Sequence, residues 1–320
     1  VYRATNPSDA ERMAIIATGG YGRGMLAPRS DIDLLFLLPY KQTPWGESVI
    51  EAVLYLLWDV GLKVGHAVRT VEQSVRAAED DMTIRTALLD TRFILGNRQL
   101  VDDLSQRLAA TLGPPTARDF IVAKYAERAE RHKRNGYSRY KVEPNLKDGK
   151  GGLRDLHLMN WVSQYLALTG HAGPGDDEPL GLLSLAERAT FRDAETFLWT
   201  LRCHLHFLAG RPEERLTFDM QPLVAAALHY RASGRQRPVE RFMRHYFLTA
   251  KAVGDLTRTF SSALELRQLK AEPRPVGAPA EVTWQTRMTL RRRTDFRIEN
   301  GRINAAMPEV FRKNPVNLIR

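Results

Sequence analysis

The sequence predicts an α+β fold in which a domain built around a sheet comes first and a helical domain follows. Up to the break at Gly113-Pro114-Pro115, short apolar runs rich in β-branched residues alternate with segments of helical periodicity. After this break the chain consists mainly of long segments with helical periodicity. The chain has 320 residues, of which 43% are hydrophobic and 26% charged, and this is ordinary globular composition. Disordered and collagen-like classes of protein are therefore excluded.

The first domain is predicted to span residues 1–115 and to contain four strands and two helices. The apolar runs predict strands at 13–18, 30–38, 63–70 and 91–95. Helical periodicity predicts helices at 45–60 and 71–90. Glycines follow the first strand directly, at positions 19, 20, 22 and 24, which predicts a tight loop. Such a junction between a strand and a loop is a common place for ligand binding.

The helical domain is predicted to span residues 116–271 and to complete a cleft for a nucleotide or a partner. Its periodic segments predict helices at 117–135, 153–169, 184–209 and 238–269. An irregular stretch at 143–154 separates the first two helices, and a Gly/Pro/Asp loop is predicted at 170–179. Residues 272–320 are predicted to be a linker and the start of a further domain, with a hairpin at 296–303 around Asn300-Gly301.

The charge distribution predicts a polyanionic ligand or partner. The formal net charge is +10, and residues 124–154 hold ten Lys or Arg against four acids. One cysteine, Cys203, cannot form a disulfide within the chain, and no leader segment opens it. The longest apolar run, 52–58, is too short to cross a membrane. These features predict a cytoplasmic protein without a membrane partner.

The strongest chemical motif is Gly19-Gly20 followed, after ten residues, by Asp31-Ile32-Asp33 on a predicted strand. Side chains two apart on a strand point to the same face, so both carboxylates can serve one divalent cation site. Two adjacent negative charges favour Mg²⁺, or Mn²⁺ in its place, and a bound pair of these ions would activate the attacking oxygen and neutralise the leaving pyrophosphate in a two-metal mechanism. Glycines beside them allow backbone N–H groups to approach a phosphate chain. The motif therefore predicts nucleotidyl transfer, with Asp31 and Asp33 as catalytic residues and metal ligands.

A second basic motif lies at residues 147–155, Lys-Asp-Gly-Lys-Gly-Gly-Leu-Arg-Asp, just before a predicted helix. Cationic side chains and free N–H groups near a helix N-terminus favour anions. Lys147, Lys150 and Arg154 are therefore predicted to bind the triphosphate across the cleft; otherwise this segment is a flexible basic loop. Arg23 either contacts a phosphate oxygen or is a solvated charge on its loop.

At this point the sequence resembles a known family, the bacterial PII uridylyltransferase/uridylyl-removing enzymes of the DNA polymerase β-like nucleotidyltransferase superfamily. The resemblance covers nearly all of the chain, and it is carried by blocks at 19–37, 64–70, 145–157, 215–219 and 241–257. It implies a polymerase β-like nucleotidyltransferase domain, with a mixed sheet and flanking helices, followed by helices. It implies that Asp31 and Asp33 bind metal and that Gly19 and Gly20 contact the triphosphate.

The resemblance also implies the reaction. UMP would pass from UTP to a tyrosine hydroxyl of the PII nitrogen-signalling protein, with release of pyrophosphate and inhibition by glutamine. In the family, a metal-dependent HD domain removes UMP and two ACT domains sense glutamine. The sequence has no His-Asp dipeptide. The removal activity and the glutamine sensors are therefore expected to lie outside this chain.

The sequence departs from the superfamily in its third carboxylate. The strand on which that acid is expected carries His66 and Arg69 instead. Asp90 is the predicted substitute and Asp155 the alternative; otherwise Asp90 is a loop acid and Asp155 a helix cap. His66 is either a polar neighbour of the site or an ordinary strand histidine.

The same motifs are also compatible with two other functions. One is a sibling adenylyltransferase that modifies glutamine synthetase or another protein, because nothing in the motif distinguishes uracil from adenine. The other is a non-catalytic module that binds a nucleotide or PII. Nucleic acid is not expected as a partner, because the basic excess lies beside the predicted phosphate loop. The tryptophans Trp58, Trp161 and Trp199 lie on apolar helix faces and are predicted to be core residues.

Overall fold

The structure is a computed structural model that describes residues 12–113, 115–170, 180–271, 296–299 and 302–305, with the backbone alone for 266–271 and the last two segments. It divides into two compact units, Val1–Phe260 and Ser261–Arg320. The predicted linker after residue 271, the turn at Asn300-Gly301 and most of the 170–179 loop lie outside the described residues. The proposed domain boundary at residue 115 stays a prediction.

A mixed four-stranded sheet in the first unit confirms the α+β class. Its strands are β1 (Ala14–Ala17), β2 (Ile32–Leu38), β3 (Val64–Thr70) and β4 (Arg92–Gly96), in the order β3-β2-β1-β4. β1 is antiparallel to β2 and β4, whereas β2 is parallel to β3. All four strands lie within two residues of their predicted bounds. In the second unit, β5 (Phe296–Glu299) pairs antiparallel with β6 (Arg302–Ala305), as the hairpin pattern predicted.

Ten helices are described, and most match a predicted segment. Their bounds are α1 (Gly19–Gly22), α2 (Pro44–Asp59), α3 (Val71–Asp80), α4 (Met82–Leu89), α5 (Arg98–Thr111), α6 (Thr116–Arg134), α7 (Leu153–Leu168), α8 (Leu185–Ala209), α9 (Met220–Ala227) and α10 (Pro238–Ala271). Among the described helices, none is long and apolar enough to cross a membrane.

The predicted helix at 71–90 is wrong in one respect, because it consists of two helices. Asp81 has an extended backbone, and its side chain accepts hydrogen bonds from the N–H groups of Thr83 and Ile84. A capping residue of this kind starts a new helix. Helix α5 was not predicted, although Leu104 and Leu108 have helical spacing and are both buried. Helix α9 was also not predicted, and residues 19–22, predicted as a tight loop, form the single-turn helix α1.

The sheet positions the two motif carboxylates at the open end of a buried strand. β2 is an interior strand, and Leu34, Leu35, Phe36 and Leu37 are each 5% exposed or less. Burial on both faces explains why its sequence is a continuous apolar run rather than an alternating one. At the start of β2 the pattern alternates, because Ile32 and Leu34 are buried whereas Asp33 between them is exposed.

Helix α7 is the most buried helix around the site. Ten of its sixteen residues are buried, including the polar Asp155 and His157. Tyr165 stacks on Phe120 of α6 with 4.0 Å between the ring centroids. The core prediction is correct for Trp161, which is 5% exposed, and wrong for Trp58, which is 45% exposed on α2. Trp199 is half-buried.

One glycine of the first motif is required by packing rather than by ligand binding. A Cβ added at Gly22 would lie 1.7 Å from the carbonyl oxygen of Asp90 and 2.9 Å from that of Ala17. Both neighbours are backbone atoms, so neither can move without displacing α4 or β1. The close approach of α1 to the end of α4 therefore depends on the missing side chain.

We expect Gly22→Ala to lower the free energy of unfolding by about 1–3 kcal/mol, because the methyl group overpacks a backbone contact. Urea denaturation followed by circular dichroism would measure it. Gly113→Ala is the matched control, since its added Cβ would meet no atom closer than 3.8 Å. Equal stability of the two variants would contradict the packing argument.

Candidate active site

A cavity of about 490 Å³ opens beside the first residues of β2. This volume lies within the usual range for sites that bind small molecules. Its walls come from α1, β2, α4, α7, α8 and the segment before α7, so both predicted domains contribute to it. Its charged lining combines seven cations and five acids: Arg23, Arg29, Lys63, Lys124, Lys147, Arg154, Arg202, Asp31, Asp33, Asp90, Glu127 and Glu214.

Asp31 and Asp33 both reach this cavity, as the motif predicted. Asp33 is the second residue of β2, and Asp31 lies just before the strand rather than on it. Ile32 between them is buried while both acids are exposed, so the two carboxylates lie on the same side.

Two glycines make the space for the Asp33 carboxylate. A Cβ at Gly19 would lie 3.1 Å from Asp33 Oδ2, and one at Gly65 would lie 2.9 Å from Oδ1. Gly65 is directly opposite Asp33 in the parallel register of β2 and β3. Gly19 has a φ of 56°, in the left-handed region that favours glycine. Gly19 therefore positions a carboxylate, in addition to its predicted contact with phosphate.

The two carboxylates form a suitable pair for a divalent cation. Burial raises the pKa of Asp33, the adjacent Asp31 carboxylate raises it further, and Lys147 lowers it in part. Like charges held together in this way favour a bound cation, and carboxylate oxygens are the ligands that Mg²⁺ prefers. The donor set of Asp31 and Asp33 thus fits the predicted metal.

Asp90 lines the cavity, but its carboxylate already has two partners. Its Oδ2 forms an ion pair with Arg23 Nη1 and accepts a hydrogen bond of 2.7 Å from Trp161 Nε1. Burial raises the pKa of Asp90, whereas Arg23 and Trp161 favour the charged form. The second oxygen, Oδ1, is buried without a hydrogen-bond partner among the described residues. The role of Asp90 as third metal ligand stays a prediction.

The indole ring of Trp161 gathers three cations along the cavity wall. The charged groups of Lys124, Arg154 and Arg23 lie 5.4, 5.5 and 5.6 Å from its ring centroid. Aromatic faces attract cations at this range. Trp161 is therefore a core residue that also shapes the site, and Arg23 is a partly buried, oriented side chain rather than a solvated loop charge.

The predicted basic motif is divided between two places. Lys147 and Arg154 line the main cavity, whereas Lys150 lines a second and smaller one. Burial lowers the pKa of Lys147, and the nearby Arg154 lowers it further. The segment is a structured turn: Asn145 Oδ1 accepts hydrogen bonds from the backbone N–H groups of Lys147 and Asp148. Two of the three predicted cations thus line the same cavity as Asp31 and Asp33, and their binding to a triphosphate stays a prediction.

Asp155 does not line the cavity. It is 0% exposed, and its Oδ1 accepts hydrogen bonds from Arg128, Arg131 and His132 on α6. Its Oδ2 accepts from the backbone N–H of Gly151. Burial alone would raise the pKa of Asp155, but the hydrogen bond from His132 and the charge of Arg128 outweigh it and hold the pKa well below its usual range. The structure thus places Asp155 in a buried network that anchors the start of α7.

Two further cavity residues were missed by the sequence analysis. His157 is 4% exposed, and neither ring nitrogen has a hydrogen-bond partner among the described residues. Burial and the charge of Arg23 lower its pKa well below the usual value, so it is neutral near pH 7. Arg154, His157 and Trp161 follow one another at intervals of three and four residues, which places them on one helix face. That spacing is the pattern from which His157 could have been predicted.

Glu214 was the second residue missed, and it holds Arg202, one of the cations that line the cavity. It accepts hydrogen bonds of 3.0 and 2.9 Å from Arg202 Nε, and His206 Nε2 lies 3.6 Å from its Oε1. Burial alone would raise the pKa of Glu214, but the nearby His206 ring and the hydrogen bonds from Arg202 outweigh it and lower the pKa to about 2. Its position in a loop between helices carries no periodic pattern that could have identified it.

His66 is exposed on the edge strand β3 and does not line the cavity. Its ring lies edge-on to Phe36 at 6.5 Å. This arrangement corresponds to an ordinary strand histidine.

We expect Glu214→Gln to lower stability at pH 7 by about 2 kcal/mol, allowing for partial exposure. The pKa of Glu214 is depressed, so its stabilisation is complete above its ordinary value of 4.5 and is lost as the pH falls towards about 2. The variant should therefore show a weaker loss of stability between these pH values, measured by chemical denaturation at several pH values. Glu72→Gln, at an exposed ion pair, is the control and should leave the dependence of stability on pH unchanged. The same unchanged dependence for Glu214→Gln would contradict the lowered pKa of Glu214.

Comparison with known proteins shows what the chain is similar to. Residues 119–261 match the family described as GlnD PII-uridylyltransferase. Two proteins named "Bifunctional uridylyltransferase/uridylyl-removing enzyme", from Bradyrhizobium sp. and Nitrobacter hamburgensis, are each 53% identical over 323 residues. A third protein of that name, from Rhodopseudomonas palustris, is 50% identical over 325 residues. Each alignment covers 100% of this chain and 34% of the relative, so the chain spans about a third of their length. Residues 119–261 thus match the family described as GlnD PII-uridylyltransferase, and along its whole length the chain is similar to one third of a bifunctional enzyme.

Proposed function

We propose that this chain transfers UMP from UTP to a tyrosine hydroxyl of a PII signalling protein and releases pyrophosphate. The observation that carries this proposal is the main cavity, where Asp31 and Asp33 share one space with Lys147, Arg154 and the glycines of α1. The names of the relatives support the choice of uridylyl over adenylyl transfer and of PII as the acceptor. We also propose that the reaction takes place in the cytoplasm.

Lys147, Arg154 and Arg23 form a cationic wall of the main cavity, and this wall suits the triphosphate of the nucleotide. Lys147 and Arg154 both reach the cavity, and Arg154 is held by Trp161 on one side and by Asp148, 3.6 Å from its Nε, on the other. Arg23 is fixed by Asp90. Cations oriented before the substrate arrives need little rearrangement to bind phosphate oxygens, which favours both binding and in-line attack.

The carboxylate pair suits the reacting end of the site. Asp31 and Asp33 would hold Mg²⁺, which when bound neutralises phosphate charge and lowers the pKa of an incoming hydroxyl. The tyrosine oxygen forms a bond to the α-phosphorus, the bond from that phosphorus to the bridging oxygen breaks, and pyrophosphate leaves with the electron pair. The hydroxyl proton is released. No nucleophile from this chain is needed, because the acceptor supplies it.

We expect Asp31→Asn and Asp33→Asn each to lower the transfer rate by at least about 100-fold, because each removes a charged metal ligand. The measurement is intact mass spectrometry of a PII protein incubated with the chain, Mg²⁺ and equal amounts of UTP and ATP. A UMP-sized mass increase that both variants lose supports the proposal. Asp59→Asn, an exposed acid at the end of α2, is the control and should retain activity.

Other outcomes of that experiment would contradict the proposal in distinct ways. An AMP-sized increase would assign the chain to adenylyl transfer. Full activity of both variants, with unchanged melting temperatures, would remove the carboxylate pair from the mechanism. No mass increase with a folded wild-type chain would contradict transfer by this chain itself.

We expect Lys147→Gln and Arg154→Gln each to weaken binding of a non-hydrolysable UTP analogue by about tenfold, through loss of one charge-assisted hydrogen bond. Isothermal titration calorimetry would give the dissociation constants. Lys41→Gln removes an exposed charge outside the cavity and should bind like the wild type. Equal affinity of all three variants would show that the cationic wall does not contact the nucleotide.

A further inference from the structure

A second cavity, of about 220 Å³, lies on the other side of the turn at residues 145–150. Asn145, Gly149 and Lys150 line this cavity, whereas Lys147 and Arg154 line the main one. The charged side chains around it are five cations and one acid: Arg134, Arg139, Lys141, Lys150, Arg215 and Glu143. This lining is more strongly cationic than that of the main cavity.

The single acid of this second cavity is already neutralised. Glu143 Oε2 lies 3.2 Å from Arg215 Nη2, and its Oε1 accepts a hydrogen bond from the backbone N–H of Phe218. Arg139 is weakly paired, with its Nη1 3.9 Å from Asp255 Oδ1. Across the part of the chain that the structure describes, Arg134, Lys141 and Lys150 have no carboxylate partner within 4.0 Å. Three positive charges therefore face one small space without compensation, and an anion would relieve their repulsion.

Glycines leave room for two cations of this lining, Lys141 and Arg139. A Cβ at Gly136, where φ is 77°, would lie 2.9 Å from Nζ and Cε of Lys141. A Cβ at Gly254 would lie 2.6 Å from Nη1 of Arg139. Part of each long side chain thus lies in a space that a glycine leaves open, although Lys141 as a whole is exposed. The cationic lining is a built feature of the surface between α6, the turn and α10.

The size of the cavity limits the ligand. A volume of 220 Å³ is below the range of roughly 300–1,000 Å³ that is usual for whole small-molecule ligands. It suits a compact, highly charged group. We propose that this second cavity binds a phosphate group, as free phosphate or pyrophosphate or as the terminal phosphates of a nucleotide, with Arg134, Lys141 and Lys150 as its cationic ligands.

This site is separate from the nucleotide site of the proposed function, and it assigns Lys150 to a different ligand from Lys147 and Arg154. The two sites share the turn itself. Gly149 N–H donates to the carbonyl oxygen of Asn145, and Asn145 Oδ1 accepts from Lys147 N–H at 3.0 Å. An anion bound to Lys150 would therefore restrain the same turn that carries Lys147.

The test is titration of the whole chain with pyrophosphate, in the absence of divalent metal, by isothermal titration calorimetry. The wild type should bind two pyrophosphates. The variant Arg134→Gln/Lys141→Gln should lose one of them, with affinity at that site reduced at least about tenfold. The variant Lys147→Gln/Arg154→Gln should lose the other. Lys41→Gln/Lys133→Gln removes two exposed charges that line neither cavity, and it should bind as the wild type does.

The proposal is overturned if Arg134→Gln/Lys141→Gln binds pyrophosphate with the stoichiometry and affinities of the control. It is also overturned if Lys150→Gln weakens the site lost in Lys147→Gln/Arg154→Gln and not the other one. Titration with UTP separates the two sources of phosphate. A second UTP per chain, lost in Arg134→Gln/Lys141→Gln, means that a nucleotide fills the cavity; pyrophosphate binding without a second UTP means free anions. Because only binding is measured, the result does not depend on whether the chain transfers UMP.

Discussion

The basic side chains that line both cavities depend for their positions on the hydrogen bonds of the buried Asp155 carboxylate. Arg128, Arg131 and His132 of α6 donate hydrogen bonds to this carboxylate, and so does the backbone N–H of Gly151. Since Asp155 lies in the first turn of α7, it joins that turn to α6. Breaking a buried, hydrogen-bonded ion pair by removing one partner typically costs about 3–5 kcal/mol, because the remaining charges lose their compensation. The turn at 145–150 and the helix face with Arg154, His157 and Trp161 lie on either side of this anchor. Their positions are therefore tied to α6.

A second carboxylate, Asp90, connects the sheet region to α7. Through it, Arg23 from the loop after α1 and Trp161 from α7 meet at one point, although they are far apart in the chain. Arg23 is therefore oriented before any ligand binds. Its cost is a buried acid with one oxygen that has no hydrogen-bond partner in the described part of the chain, and such a group is more common where function requires it than in an ordinary core.

Much of the fold could be predicted from the sequence, and the reason is local. The apolar run of β2, the glycines after β1 and the long periodic helices each fix their own backbone through burial and turn chemistry, so the strands were placed within two residues. The failures also have local causes. Asp81 divides one predicted helix because its side chain caps the next one, and α5 was passed over despite the buried pair Leu104 and Leu108. Trp58 was assigned to the core from its helix face, but that end of α2 is exposed.

The sequence by itself determined the pair Asp31 and Asp33 and the glycines beside it, because side chains two residues apart in an extended segment share a face whatever that segment packs against. Only the tertiary structure decided which distant side chains meet that pair. It placed Lys147 and Arg154 in the main cavity and Lys150 in the second, engaged Asp90 with Arg23 and Trp161, and buried Asp155 away from both. The physical reason is that periodicity gives the direction of a side chain relative to its own element, whereas its partners depend on how the elements pack.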